Sequence, residues 1–178
     1  MIQKIKPNIW RFSFSRFGSY VYLIKLKNKN ILIDTSSTQN AKELVENLKK
    51  LNLSPEEIDI VILTHNHPDH IGGVSLFPDG IFYANKFDFP VDKFNDIHFL
   101  KIPEFKIIKT PGHTVGSICI LYDDVLFSGD TLFHRGTIGR TDLPRSSKKE
   151  MKKSLEKLKK INYKILCPSH GHGGGDDY

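Results

Sequence analysis

A continuous apolar run, Ile58-Asp59-Ile60-Val61-Ile62-Leu63-Thr64, opens without a linker into His65-Asn66-His67-Pro68-Asp69-His70 and then Ile71-Gly72-Gly73. This junction constrains the fold more than any other feature of the chain. An apolar run of that length reads as a strand buried on both faces, and such strands belong to sheets covered by helices. Three imidazoles and a carboxylate within six positions are awkward for a core and unnecessary on a surface. They suit a metal. In an extended segment His65 and His67 point to the same side, because side chains alternate. Pro68 fixes its own φ and blocks a ladder hydrogen bond, so the chain is expected to leave the sheet there. Asp69 and His70 then lie on the turn into a helix, and one segment can serve two metal ions held close together.

The surrounding pattern supports a layered α/β chain. "NIWRFSF", "SYVYLIKL" and "NILIDT" read as strands rich in β-branched and aromatic residues, with "KNKN" as the polar turn between the last two. In "NAKELVENLKKL" the period changes, and Ala41, Leu44, Val45, Leu48 and Leu51 recur on one helical face. "SPEE" begins a short helix with Ser54 as N-cap, Pro55 in the first turn and Glu57 closing a capping box. Further strands are expected at "IFYAN", "FKIIKT", "SICILY", "DVLFSGD" and "YKILCPSH". A lysine-rich helix is expected at "SSKKEMKKSLEKLKKI", with Ser147 and Glu150 forming a second capping box. Strands followed by helices, twice over, predict two sheets with helices packed outside. A length of 178 residues with 39% hydrophobic content fits one compact domain spanning 1–178.

Further metal-ligand types stand at strand ends. "TPGHTVGS" places His113 after a Pro-Gly turn, "LFSGDTLF" places Asp130 after an apolar strand, and "ILCPSHGHGG" does the same for His170. Five of the eight histidines occupy such positions. With two carboxylates they form a set suited to zinc or another first-row metal that accepts nitrogen and oxygen ligands. Asp34 ends the strand "NILIDT" and either orients a ligand histidine or caps a turn.

"THNHPDHIGG", "PGHTVGS", "GDTLF" and "PSHG", in that order, resemble the metallo-β-lactamase fold superfamily, and the resemblance covers nearly the whole chain. It implies an αββα sandwich, two facing mixed sheets with helices on the outer faces, and a site built from strand-end loops on one edge. It also implies that His65, His67 and His113 hold one metal and Asp69, His70 and His170 the second. Asp130 and a water-derived hydroxide would bridge the two, with Asp69 and Asp130 as the catalytic carboxylates. Arg140 and Asp142 in "GTIGRTD" border the substrate in related enzymes, so Arg140 either grips a substrate carboxylate or pairs with Asp142. His134 and His172 fall outside the matched pattern. Both read as loop residues, with His172 a conceivable substitute for His170.

Three details narrow the branch. His67 is not Glu, which argues against flavin-linked diiron oxygen reductases. Asp130 is not Cys, which argues against the main antibiotic-degrading branch. No large insertion follows "GDTLF", which argues against nucleases with an added cap. The chain is most similar to the glyoxalase II group, the hydroxyacylglutathione hydrolases, though only eight residues follow His170, where longer members have a glutathione-binding extension. The expectation is a dinuclear zinc-type hydrolase, with iron or manganese as alternatives, acting on a thioester, lactone or other ester. A mononuclear iron persulfide dioxygenase using His65, His113 and Asp130 is the alternative, and a β-lactam hydrolase or nuclease of the same fold comes after it.

The formal charge of +6 and pI near 9.2 favour anionic partners only weakly. The lysines of the last helix come without interleaved aromatics, so a solvated face is expected rather than a nucleic-acid site. No signal peptide and no membrane-spanning run are seen. Cys119 and Cys167 sit in apolar strands, as buried free thiols would. A cytoplasmic enzyme with a small-molecule substrate, no nucleic acid and no membrane is the resulting expectation. The aromatic-rich segment from Phe82 to Phe99 serves the core, an apolar wall beside the metals, or a homodimer contact.

Overall fold

The computed structural model of the chain describes residues 1–89 and 93–171. Packing divides the chain into two compact units, Met1–Ala84 and the residues from Asn85 onward.

The first unit carries a mixed sheet in which β1 (Ile2–Lys6), β2 (Ile9–Phe12), β3 (Val21–Leu26) and β4 (Lys29–Ile33) run antiparallel in succession. Beside β4 lies β5 (Ile60–Ile62), and then β6 (Ile81–Ala84), both parallel to their neighbours. The apolar runs fall where both faces are covered: Val21 to Ile24, Ile31 to Ile33 and all of β5 are buried. β1 was not foreseen from the sequence. It lies at the edge, and its Lys4 and Lys6 interrupt any apolar run while discouraging further strand pairing.

The parallel step from β4 to β5 needs a crossover, and α1 (Ala41–Lys50) supplies it with Leu44 and Leu48 buried. "SPEE" forms the expected short helix as a single 3₁₀ turn, Pro55–Glu57. Its box is recognisable in the Ser54 N–H donated to Glu57 Oε2 at 2.8 Å. The chain leaves the sheet earlier than Pro68. Leu63 N–H still reaches the Tyr83 carbonyl at 2.9 Å, but Thr64 N–H turns to the Asp34 carboxylate. That side chain captures the next backbone donor and ends the ladder before His65. Pro68 instead opens the short α2 (Pro68–Ile71), where its missing N–H costs nothing.

In the second unit, β8 (Phe105–Lys109), β9 (Ile118–Tyr122) and β10 (Val125–Gly129) form an antiparallel meander. β11 (Ile165–Pro168) joins β10 in parallel, with α3 (Lys148–Leu158) as the crossover. A two-residue strand, β7 (Asn95–Asp96), precedes them. Leu158 of α3 packs with Ile108, Cys119 and Leu126, flanked by Leu121, Leu132, Ile161, Tyr163 and Leu166. The N-cap of α3 is only half the expected box. Ser147 accepts the Glu150 N–H at 3.3 Å, but the Glu150 carboxylate pairs with Lys153 at 2.8 Å.

Cys119 and Cys167 are both free and buried. Burial pushes the Cys119 thiol up to about 11, outweighing its contacts with Thr110 and Thr131. No described helix is long and apolar enough to cross a membrane. The packing predicts that Leu158→Ala lowers unfolding free energy by about 3 kcal/mol in denaturant titrations, through lost burial and a residual cavity. Native Cys119 should resist thiol reagents at neutral pH and react only on unfolding.

Candidate metal centre

In the first unit the site is built at the carboxyl ends of two parallel strands. Ile33 of β4 and Ile62 of β5 are register partners, so Asp34 and Thr64 emerge at the same sheet edge. Asp34 adopts a left-handed backbone, φ 61°, which sets its carboxylate against the β5 exit. One oxygen accepts the Thr64 N–H at 2.8 Å. The other accepts the Thr64 hydroxyl at 2.8 Å and faces His70 Nδ1 at 2.8 Å. The Thr64 hydroxyl has a single proton. Once it is given to Asp34, the Thr64 oxygen can only accept from His65 Nδ1, 3.1 Å away.

These partners assign Nδ1–H to both His65 and His70 and leave each Nε2 turned away from that network. His65 Nε2 lies 3.1 Å from His67 Nδ1, and the His65 and His70 ring centroids are 3.9 Å apart. His70 Nε2 is 3.7 Å from the Asp69 carboxylate. These imidazole nitrogens and the Asp69 carboxylate form a nitrogen and oxygen donor set whose chemistry fits a divalent first-row metal.

Backbone contacts hold the ligand loop. The Asp69 carbonyl accepts from Ser19 N–H at 2.9 Å, and the His70 carbonyl accepts from the backbone and hydroxyl of Thr35 at 2.8 and 3.0 Å. Gly72 donates to the Ser36 carbonyl at 2.8 Å, and a Cβ there would lie 2.1 Å from Thr38 N. The Gly72 of "IGG" is therefore a requirement of close backbone approach, beyond the tight turn expected from the sequence.

Within the second unit, His113, Asp130 and His170 form a cluster. Asp130 follows β10 and His170 follows β11, whose parallel register pairs Gly129 with Pro168, so both leave the sheet at one edge. His113 Nδ1 is 2.8 Å from the Arg140 carbonyl, which can only accept. Nδ1 therefore carries a proton, and Nε2 faces Asp130 Oδ2 at 3.3 Å. Asp130 Oδ1 is 3.5 Å from His170 Nε2. One carboxylate thus presents a separate oxygen to each imidazole. Gly139 makes this crossing possible, since a Cβ there would fall 2.3 Å from the Asp130 carbonyl and 2.9 Å from His113 Nδ1.

Of the residues named from the sequence, His65, His67, Asp69 and His70 gather in the first unit, and His113, Asp130 and His170 in the second. Asp34 orients histidines rather than capping a turn. The Arg140 guanidinium is forked onto Asp142 by two 3.0 Å hydrogen bonds, so in this structure it holds its own loop. His134 opens a one-turn 3₁₀ segment, and His172 lies outside the described residues. Thr64 and Gly139 were missed. Each acts through backbone or one specific atom, and only the position of Thr64 directly before His65 offered a signal. Asp34→Ala would strand Thr64 N–H, the Thr64 hydroxyl and His70 Nδ1–H in a buried environment. A loss of about 3–5 kcal/mol is expected in metal-free denaturation, the scale for removing one partner of a buried charged network.

Over 145 residues the chain is 41% identical to a probable metallo-hydrolase of Methanocaldococcus jannaschii, covering 81% of this chain and 71% of that protein. Two solved structures share the fold. TTHA1623, crystallised in a di-iron-bound form, superposes with a TM-score of 0.77 at 23% identity, over 90% of this chain and 91% of its own. ETHE1 from Myxococcus xanthus superposes with 0.75 at 23% identity, over 98% and 77%. The sequence pattern of the metallo-beta-lactamase superfamily matches residues 15–86 and 80–170, and with the fold and the histidine–aspartate sets this places the chain in that superfamily.

Proposed function

We propose that the protein is a metal-dependent hydrolase that cleaves a thioester or a related activated ester at a dinuclear centre. The observation that carries this reading is that Nδ1 of His65, His70 and His113 is each taken up by a neighbouring oxygen, which turns the three Nε2 atoms toward carboxylates or further imidazole nitrogen. In this reading His65, His67 and His113 would hold one ion, Asp69, His70 and His170 would hold the other, and Asp130 would serve both. Two such ions supply Lewis acidity and a water made acidic enough to attack at neutral pH. The chain's own part is to fix the ligand nitrogens. Asp34 and Thr64 do so for His65 and His70, and the Arg140 carbonyl does so for His113. With water as nucleophile, no serine or cysteine is needed, in keeping with the inert Cys119.

A pocket of about 430 Å³ in the first unit opens beside Asp69, lined by Phe17, Ser37, Thr38, Gln39 and Pro68. None of these lining side chains is cationic, and Phe17 is 68% exposed. Such a pocket suits a neutral, partly apolar acyl group better than the carboxylates of glutathione. The fork to Asp142 uses Arg140 Nε and Nη2 and holds the Asp142 carboxyl below the usual range, so a substrate carboxylate would have to meet Nη1 or displace Asp142. An apolar pocket separates homologous acyl groups by about 1–3 kcal/mol per methylene, so more than one thioester or lactone should be turned over.

Metal analysis of protein purified without added metal, paired with a panel of thioesters, lactones and a chromogenic β-lactam, tests the reading. About two ions per chain with thioester hydrolysis is the expected result. A single iron per chain with oxygen consumption on a persulfide would overturn it in favour of a mononuclear dioxygenase. Asp130→Ala should lower metal content and hydrolysis together. His170→Ala, and not His172→Ala, should remove the second ion.

A further inference from the structure

The loop that carries His113 is held from three sides, and one of its anchors has no place in the ligand set. On one side Gly112, at φ +153°, lies so close to α3 that a Cβ would fall 2.5 Å from Met151 Cα. Its carbonyl accepts the Ser147 N–H at 2.7 Å, and the Pro111 carbonyl accepts the Ser154 hydroxyl at 2.8 Å. The ring itself is held by the Arg140 carbonyl. The third anchor is Asp88, a buried carboxylate from the aromatic segment after β6. One oxygen accepts the Gly116 N–H at 2.8 Å, and the other accepts the Thr114 hydroxyl in a short hydrogen bond. Ser117 closes the network, accepting the Thr114 N–H at 3.0 Å and meeting the Thr114 hydroxyl at 2.7 Å. A Cβ on Gly116 would lie 2.6 Å from Asp88 Cγ, so the backbone is pressed directly onto the carboxyl group.

We infer that Asp88 is a positioning residue for the metal centre, setting the affinity of the His113-containing site through Thr114 and Gly116. This rests on the dinuclear reading above. A buried carboxylate is retained only where its acceptors are well used, and here both oxygens are spent on the two residues that flank Val115, just after His113. The aim of the His113 Nε2 depends on backbone placement, because its Nδ1 is already committed to a backbone carbonyl. Groups that orient a ligand histidine from outside typically change metal affinity by about 10–100-fold when removed.

The test is Zn²⁺ titration of metal-stripped protein against a chromogenic chelator, alongside thermal unfolding without metal. In Asp88→Ala, one of the two binding steps should weaken by at least about tenfold while the other stays within about threefold of wild type. Asp88→Asn should recover most of that affinity, because the amide oxygen can accept from Gly116 and the amide N–H₂ can donate to the Thr114 oxygen. Leu158→Ala, in the core of the same unit, is the control: it should lower the melting temperature and leave both binding steps intact. Thr114→Val removes one of the two contacts and carries the test if Asp88→Ala does not fold, with an intermediate loss expected at the same step. Wild-type affinity in Asp88→Ala or Thr114→Val, or an equal loss in Leu158→Ala, overturns the positioning role. A wild-type protein that takes up no zinc overturns the metal centre itself.

Discussion

The Asp34 carboxylate is the interaction on which the first half of the molecule turns. It terminates the β5 ladder by capturing Thr64 N–H, fixes the Thr64 hydroxyl, and through that hydroxyl and by direct contact sets the protonation of His65 and His70. A buried carboxylate is expensive unless fully used. Here one side chain combines the end of a strand, the start of a ligand loop and the tautomers of two imidazoles. Its left-handed backbone is the strain that accompanies this placement.

The second half solves the same problem differently. His113 is aimed by a backbone carbonyl, and its loop is clamped by Gly112 against α3 and by Asp88 against Thr114 and Gly116. Asp130 needs no such loop, because it follows β10 directly and shares its edge with the end of β11. In both halves the ligands project from strand ends of a rigid sheet. Neighbouring residues bring nitrogen and oxygen donors together in an arrangement suited to a divalent ion. Part of the packing energy of each half is thus used to hold an arrangement suited to a bound ion.

The central strands were legible because apolar runs of four to six residues have few alternatives, and α1 and α3 because their apolar positions repeat at helical spacing. β1 was not legible, since an edge strand with two lysines buries too little to leave a pattern. The exit from β5 was misplaced at Pro68 because proline is the visible ladder breaker, whereas the actual one is a carboxylate thirty residues upstream. The Gly72 of "IGG" reads as part of a tight turn and Gly139 carries no reading at all; the requirement at both comes from backbone packed within van der Waals distance.

The sequence by itself determined the superfamily and the set of histidines and aspartates that could hold a metal, because those residue types in that order carry their chemistry with them. Only tertiary structure decided which nitrogen of each histidine is available and that Asp34 orients rather than caps. It also decided that Arg140 supplies a carbonyl and pairs its guanidinium with Asp142, and that Asp88 belongs to the His113 loop. The physical reason is the same throughout. A tautomer, a fork or a clamp is set by hydrogen-bond partners far away in sequence, with geometry resolved to a few tenths of an ångström, and no local pattern of residue types encodes such a distance.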